Sequence, residues 1–216
     1  GAVRPCIRYE GRKVAGLDDE HIEAWQLLTI EVATAAITVL NQPALPMNYP
    51  PYFGFFIAGR GWWDKDSEHV YFIDQQADRT QTQVGRWDIN NGKATILFAE
   101  EPQTRSILAD KDKLKVMATP LPETHELVWL SERSGWAHLY LYDLTTGNLK
   151  NAITQGEWLV REALGVDSER RELWIKTAGR IEEHNPYHTD ICRVNIDTGE
   201  LTALTQTDHD YQAFGL

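Results

Sequence analysis

The sequence predicts an all-β chain, part of a β-propeller with about four blades of mostly four-stranded antiparallel sheet. Three observations predict it. A hairpin phrase recurs as "WDINNGKATIL" (87–97), "YDLTTGNLKNAI" (142–153) and "VNIDTGELTALT" (194–205), with a weaker copy in "IEVATAAITVL" (30–40). The key turn positions are Ala35, Gly92, Gly147 and Gly199, spaced 57, 55 and 52 residues apart, a period that fits propeller blades. Between the copies, short runs alternate apolar and polar residues as half-buried strands do.

Each unit fills in around its turn. In the first, "DDEHIEAWQLLTI" comes closest to a helical period, and its second half reads as a strand. In the second, "GWWDKD" is a polar turn that opens a strand through Val70, Tyr71, Phe72 and Ile73; "TQVGRWDI" returns and "KATILFA" follows. "HELVWLSE", "AHLYLYDL" and "NLKNAIT" form the third unit. After the opening turn "LGVDSERR", "RELWIKTA", "DICRVNID" and "ELTALT" form the fourth. Each turn places Gly, or Ala35, where a tight hairpin needs positive φ. Two regions break the pattern. The Pro-rich stretch 41–61 reads as a loop leading into a strand near Phe53 to Ala58, and 99–124 reads as the connection between two blades.

Composition narrows the function. A formal net charge of −11, spread along 216 residues, argues against a nucleic acid or an anionic membrane as partner. No run approaches the 18 or more apolar residues of a membrane span, and no signal peptide is visible at the start. The compartment stays open: periplasmic, secreted and cytoplasmic are all compatible. Cys6 and Cys192 lack metal or redox spacing; two buried free thiols or one long-range disulfide both fit.

The third blade carries a family resemblance. "WLSERSGWAHLYLYD" (129–143) resembles the blade signature of the dipeptidyl peptidase IV group of the prolyl oligopeptidase family. "ITQGEWLVREALGVD" is similar to that family's passage between blades, and "NPYHTDICRVNIDTGELTALT" to its following blade. "GWWDKDSEHVYFI" and "GAVRPCIRYE" resemble earlier segments of the same domain. The resemblance implies that residues 1–216 are a partial N-terminal propeller. It implies a C-terminal α/β-hydrolase domain of the same polypeptide as partner, with a Ser-His-Asp triad. The parent is then expected to remove Xaa-Pro and Xaa-Ala dipeptides from peptide N-termini without a cofactor, the propeller gating and selecting its peptide substrates.

The chain itself offers no nucleophile elbow. No G-x-S-x-G stretch occurs, and Ser67, Ser106, Ser131, Ser134 and Ser168 lack the glycine flanks. The family's amine-anchoring glutamate pair and its carbonyl-binding Arg are expected before Gly1. The stretch "RIEEHNPYHTD" (180–190) concentrates Glu182, Glu183, His184, His188 and Asp190. Pro186 separates the two histidines and spoils the helical spacing a zinc pair would use. Aligned on Gly147 and Gly199, this stretch takes the place of "ERSGWA" (132–137), a connection between a blade's middle strands, so it reads as a longer solvated turn.

His138 reads as a strand histidine bonding across its blade. Of Trp62 and Trp63, one is expected between blades and one on a rim, while Arg60 and Arg86 read as surface charges. No catalytic, substrate-binding or metal residue is therefore assigned within 1–216. Two further readings stay in view: a non-enzymatic propeller module that binds a protein or glycan, and a metal-dependent activity at 182–190. A partial propeller also exposes blade faces that neighbours would cover, which favours self-association.

Overall fold

The computed structural model describes residues 4–7, 27–39, 61–75, 81–101 and 118–213. Among these, every regular element is a β-strand. The chain divides into two compact units, Gly1–Glu101 and Pro102–Leu216.

The first unit holds two antiparallel sheets. β1 (Arg4–Ile7), β2 (Leu27–Ile30) and β3 (Ile37–Val39) form a three-stranded meander. β4 (Gly61–Trp63), β5 (His69–Gln75), β6 (Thr82–Asp88) and β7 (Ala94–Glu100) form a four-stranded one. In the second sheet Gly85 lies opposite Phe72, whose ring fills the space a side chain would take and stacks on Trp87 at 3.9 Å. Val70 completes this small core.

The second unit holds two four-stranded meanders. One is β8 (Ala118–Leu121), β9 (Glu126–Ser131), β10 (His138–Asp143) and β11 (Leu149–Ala152). The other is β12 (Leu159–Asp167), β13 (Glu172–Ala178), β14 (Thr189–Asn195) and β15 (Leu201–Ala203). Strand alternation sends Val128, Leu130, Leu139 and Leu141 of one sheet, and Leu173, Ile175, Cys192 and Val194 of the other, into one shared core. Burying each such side chain contributes about 1.5–3 kcal/mol.

The repeated phrase is one repeated turn. Ala35, Gly92, Gly147 and Gly199 all have positive φ, at 56°, 69°, 78° and 73°. Each donates its N–H to the carbonyl four residues earlier, on Glu31, Asp88, Asp143 and Asn195. The opening side chain satisfies the rest: Asp143 Oδ1 accepts from the Thr145 and Thr146 N–H groups, and Asn195 Oδ1 from those of Asp197 and Thr198. Hence the sequence of Asp or Asn, turn formers and Gly.

Several expectations change. Residues 118–121 are a strand rather than part of a connection; β8 tolerates Pro120 because it is an edge strand. The passage 159–167 is also a strand, with register shifts after Val160 and Ala163 that hide its alternation. Cys192 is a free, buried thiol, which removes the long-range disulfide reading. The expected strand at 53–58, residues 102–117, Arg60 and the Cys6 side chain lie outside the described residues.

Candidate functional site

The stretch 180–190 forms the turn between β13 and β14, in the same place as 132–137 between β9 and β10. Gly179, with φ 73°, starts it. Glu182 and Glu183 are exposed, and Tyr187 stands 81% exposed. The histidines do not meet in a donor set. His188 Nδ1 bonds the Asp208 carboxylate at 2.8 Å, and the same oxygen accepts the Asn185 N–H at 3.0 Å. Beside them, Asp210 accepts from the N–H and hydroxyl of Thr189. These donors hold both aspartates below the usual carboxylate range, chiefly the Asn185 amide for Asp208 and the Thr189 hydroxyl for Asp210. Asp190 is buried and pairs with Arg180 at 3.5 Å. The stretch is a surface turn fastened by the segment after β15. Nothing in its own eleven residues pointed to Asp208 and Asp210.

Among the described residues, the donors that do converge are those of Asp64, Asp66 and His69, mutually within 4.8 Å. Sequence spacing had singled out none of them. Each donor already serves the turn into β5. Asp66 Oδ1 accepts the Glu68 and His69 N–H groups, its Oδ2 meets His69 Nδ1 at 2.6 Å, and Asp64 accepts from the Lys65 N–H and the Tyr71 hydroxyl. Burial, then the Asp64 carboxylate, pushes the Tyr71 phenol up to about 12, against a counteracting bond from Arg86. The partly exposed Arg86 thus reaches the buried Tyr71–Asp64 pair. Trp62 stacks on Tyr71 at 5.5 Å and Trp63 packs against the Val70, Phe72 and Trp87 core, so both rings find partners in their own sheet.

A cluster of charges joins the two sheets of the second unit. Glu126 opens β9, with its side chain only 4% exposed, and receives Arg171 Nη1 at 2.6 Å, Lys150 Nζ and the Thr124 hydroxyl. Arg171 also holds Asp197 through Nη2 at 2.6 Å and Nε at 3.0 Å. Burial alone would raise the Glu126 carboxyl, but the bonds from Arg171, Lys150 and Thr124 outweigh it and leave it below its ordinary value. Arg171 takes φ 57°, an unusual cost for a non-glycine residue, at the turn where this fork must point. A buried carboxylate so completely paired suits a fixed joint between sheets, not proton transfer.

His138 bonds as a strand histidine, to the chain leaving β11. Its Nδ1 meets Thr154 Oγ1 and its Nε2 meets the Gly156 carbonyl, both at 2.9 Å. Ser131 Oγ accepts from Arg133, and Ser134 donates to the Trp136 carbonyl.

A family model described as the dipeptidyl peptidase IV N-terminal region matches residues 56–214, which contain all three four-stranded sheets. An Aspergillus flavus protein named "Probable dipeptidyl peptidase 4" is 25% identical over 179 residues, covering 79% of this chain and 22% of that protein. The crystal structure of Porphyromonas gingivalis dipeptidyl peptidase 4 shares the fold with a TM-score of 0.67 at 18% identity, over 85% of this chain and 23% of that one. TolB from Acinetobacter baumannii gives a TM-score of 0.50 at 11% identity, over 97% of this chain and 42% of that one. The chain therefore spans less than a quarter of the dipeptidyl peptidase relatives named here.

Proposed function

The chain belongs to the dipeptidyl peptidase IV N-terminal region family, and from that premise we propose that it is the non-catalytic propeller part of a serine peptidase of the dipeptidyl peptidase IV type. The observation that carries this reading is the match over residues 56–214, which keeps three successive blades in order. Residues 1–216 form part of one propeller, and the Ser-His-Asp triad resides in an α/β-hydrolase domain of the same polypeptide. The absence of any G-x-S-x-G stretch supports this division of labour. The parent removes Xaa-Pro and Xaa-Ala dipeptides from peptide N-termini. The propeller selects short peptides by limiting access, and the tightly paired Glu126–Arg171–Asp197 joint suits a rigid wall.

The test compares residues 1–216 with the natural polypeptide that contains them, both assayed on Gly-Pro-anilide. The expected result is hydrolysis by the natural polypeptide and none by 1–216. Turnover by 1–216 alone would contradict the division of labour, and an inert natural polypeptide would contradict the peptidase assignment.

A further inference from the structure

Two stretches each leave a meander at its outer strand and are built alike: 153–160, from β11 to β12, and 204–211, after β15. Thr154 and Thr205 accept, through their hydroxyl oxygens, the N–H groups of Leu139 and Ile191 at 3.0 and 2.9 Å. Val160 and Tyr211 donate their N–H groups to the carbonyls of Ala137 and Thr189 at 2.8 and 3.0 Å. The strand residue each stretch covers is different. The first has His138 where the second has Asp190.

The bonds at His138 suit a neutral ring protonated on Nε2. A carbonyl can only accept, so the Nε2 facing Gly156 carries the proton. The Thr154 oxygen accepts the Leu139 N–H and lies 2.9 Å from Nδ1, so in the neutral ring its hydroxyl donates to a bare Nδ1. The ring is 1% exposed, and Trp158 packs edge-on to it at 4.9 Å. Gly156, at φ 128°, leaves no room for a Cβ, which would lie 2.5 Å from Trp158 Nε1.

Among the described residues, no carboxylate bonds the ring. On the crossover, Thr154, the Gly156 carbonyl and Trp158 face the ring, and Glu157 is exposed. From β9 comes Ser131, whose oxygen is engaged by Arg133, a cation. β12 contributes apolar Leu159 and Val160. A second N–H on the ring would turn the Thr154 hydroxyl proton away from Nδ1 and place a charge where burial is nearly complete.

We propose that His138 is a proton-operated latch: its neutral ring holds the crossover 153–158 closed, and protonation opens it. Burial holds the latched ring's proton affinity down, with the Gly156 bond partly offsetting. The opened ring binds a proton first. Closure is thus fully stable above about pH 6.5, the free imidazole value, and is lost as pH falls below it. The stretch 204–211 is a built-in control: Asp190 stands where His138 does, and His188 bonds Asp208 instead.

Hydrogen exchange on the natural polypeptide between pH 7.5 and 5.5, corrected for intrinsic rates, tests the latch. Protection of 153–160 should fall as pH drops below 6.5, by at most about ten-fold per pH unit for one proton, while that of 204–211 does not follow it. In His138→Asn the fall should vanish. If that variant does not fold, the His138 ring resonance in the unaltered protein decides, because the ring should titrate only as the protection of 153–160 is lost. Flat protection across the range, or a titrating ring under a closed crossover, would overturn the proposal.

Discussion

Gly85 shows how one residue sets a sheet. A Cβ there would lie 2.2 Å from Phe72 Cζ, inside the ring that stacks on Trp87. Gly85→Ala should therefore lower unfolding stability by about 2 kcal/mol, read by chemical denaturation. Gly199 is constrained differently: its φ is positive, and a Cβ would approach the Ile153 carbonyl of the neighbouring sheet to 2.9 Å. The glycine turns were legible because glycine at the end of an Asp- or Asn-led turn has few other uses. The positive φ of Ser67, His125 and Arg171 was not, since nothing in those residue types announces it. Asp208 and Asp210 were equally hidden, because their partners lie about twenty residues away across the sheet.

Among elements, the second, third and fourth strands of the complete sheets were legible and the first strands were not. Middle strands such as β9 and β10 are long apolar runs that period-2 reading finds. β4 has three residues, β8 contains Pro120, and β12 carries two register shifts, so each lacks the signal. The joint between the two sheets of the second unit has an acid-sensitive consequence. Bonds from Arg171, Lys150 and Thr124 hold Glu126 below its ordinary value despite burial, and Arg171 does the same for Asp197. Both carboxylates therefore add stability above their unfolded values near 4, which is lost as pH falls below them. Thermal unfolding followed from pH 6 to pH 3 should show this loss. Glu126→Ala should flatten the acid slope and cost about 3 kcal/mol at neutral pH, because Arg171 loses its buried partner.

At the scale of the whole molecule, the propeller class was legible from periodicity, and the family from the 129–205 phrases. The residues 180–190, whose composition looked most chemical, proved to be a fastened surface turn. Half-exposed Trp174 and Ile191 alternate with the buried core positions of β13 and β14. We propose that this open face makes residues 1–216 self-associate when separated from the rest of the polypeptide. Light scattering should show a mass above 24.7 kDa that rises with concentration, and a strict monomer at high concentration would count against it. The central claim, that these blades serve a dipeptidyl peptidase, is tested most directly by mass spectrometry of peptides incubated with the natural polypeptide. Release of the N-terminal dipeptide from peptides with Pro or Ala second, abolished by N-acetylation of the peptide, is the predicted result. Cleavage that ignores the free amine, or no cleavage at all, would contradict it.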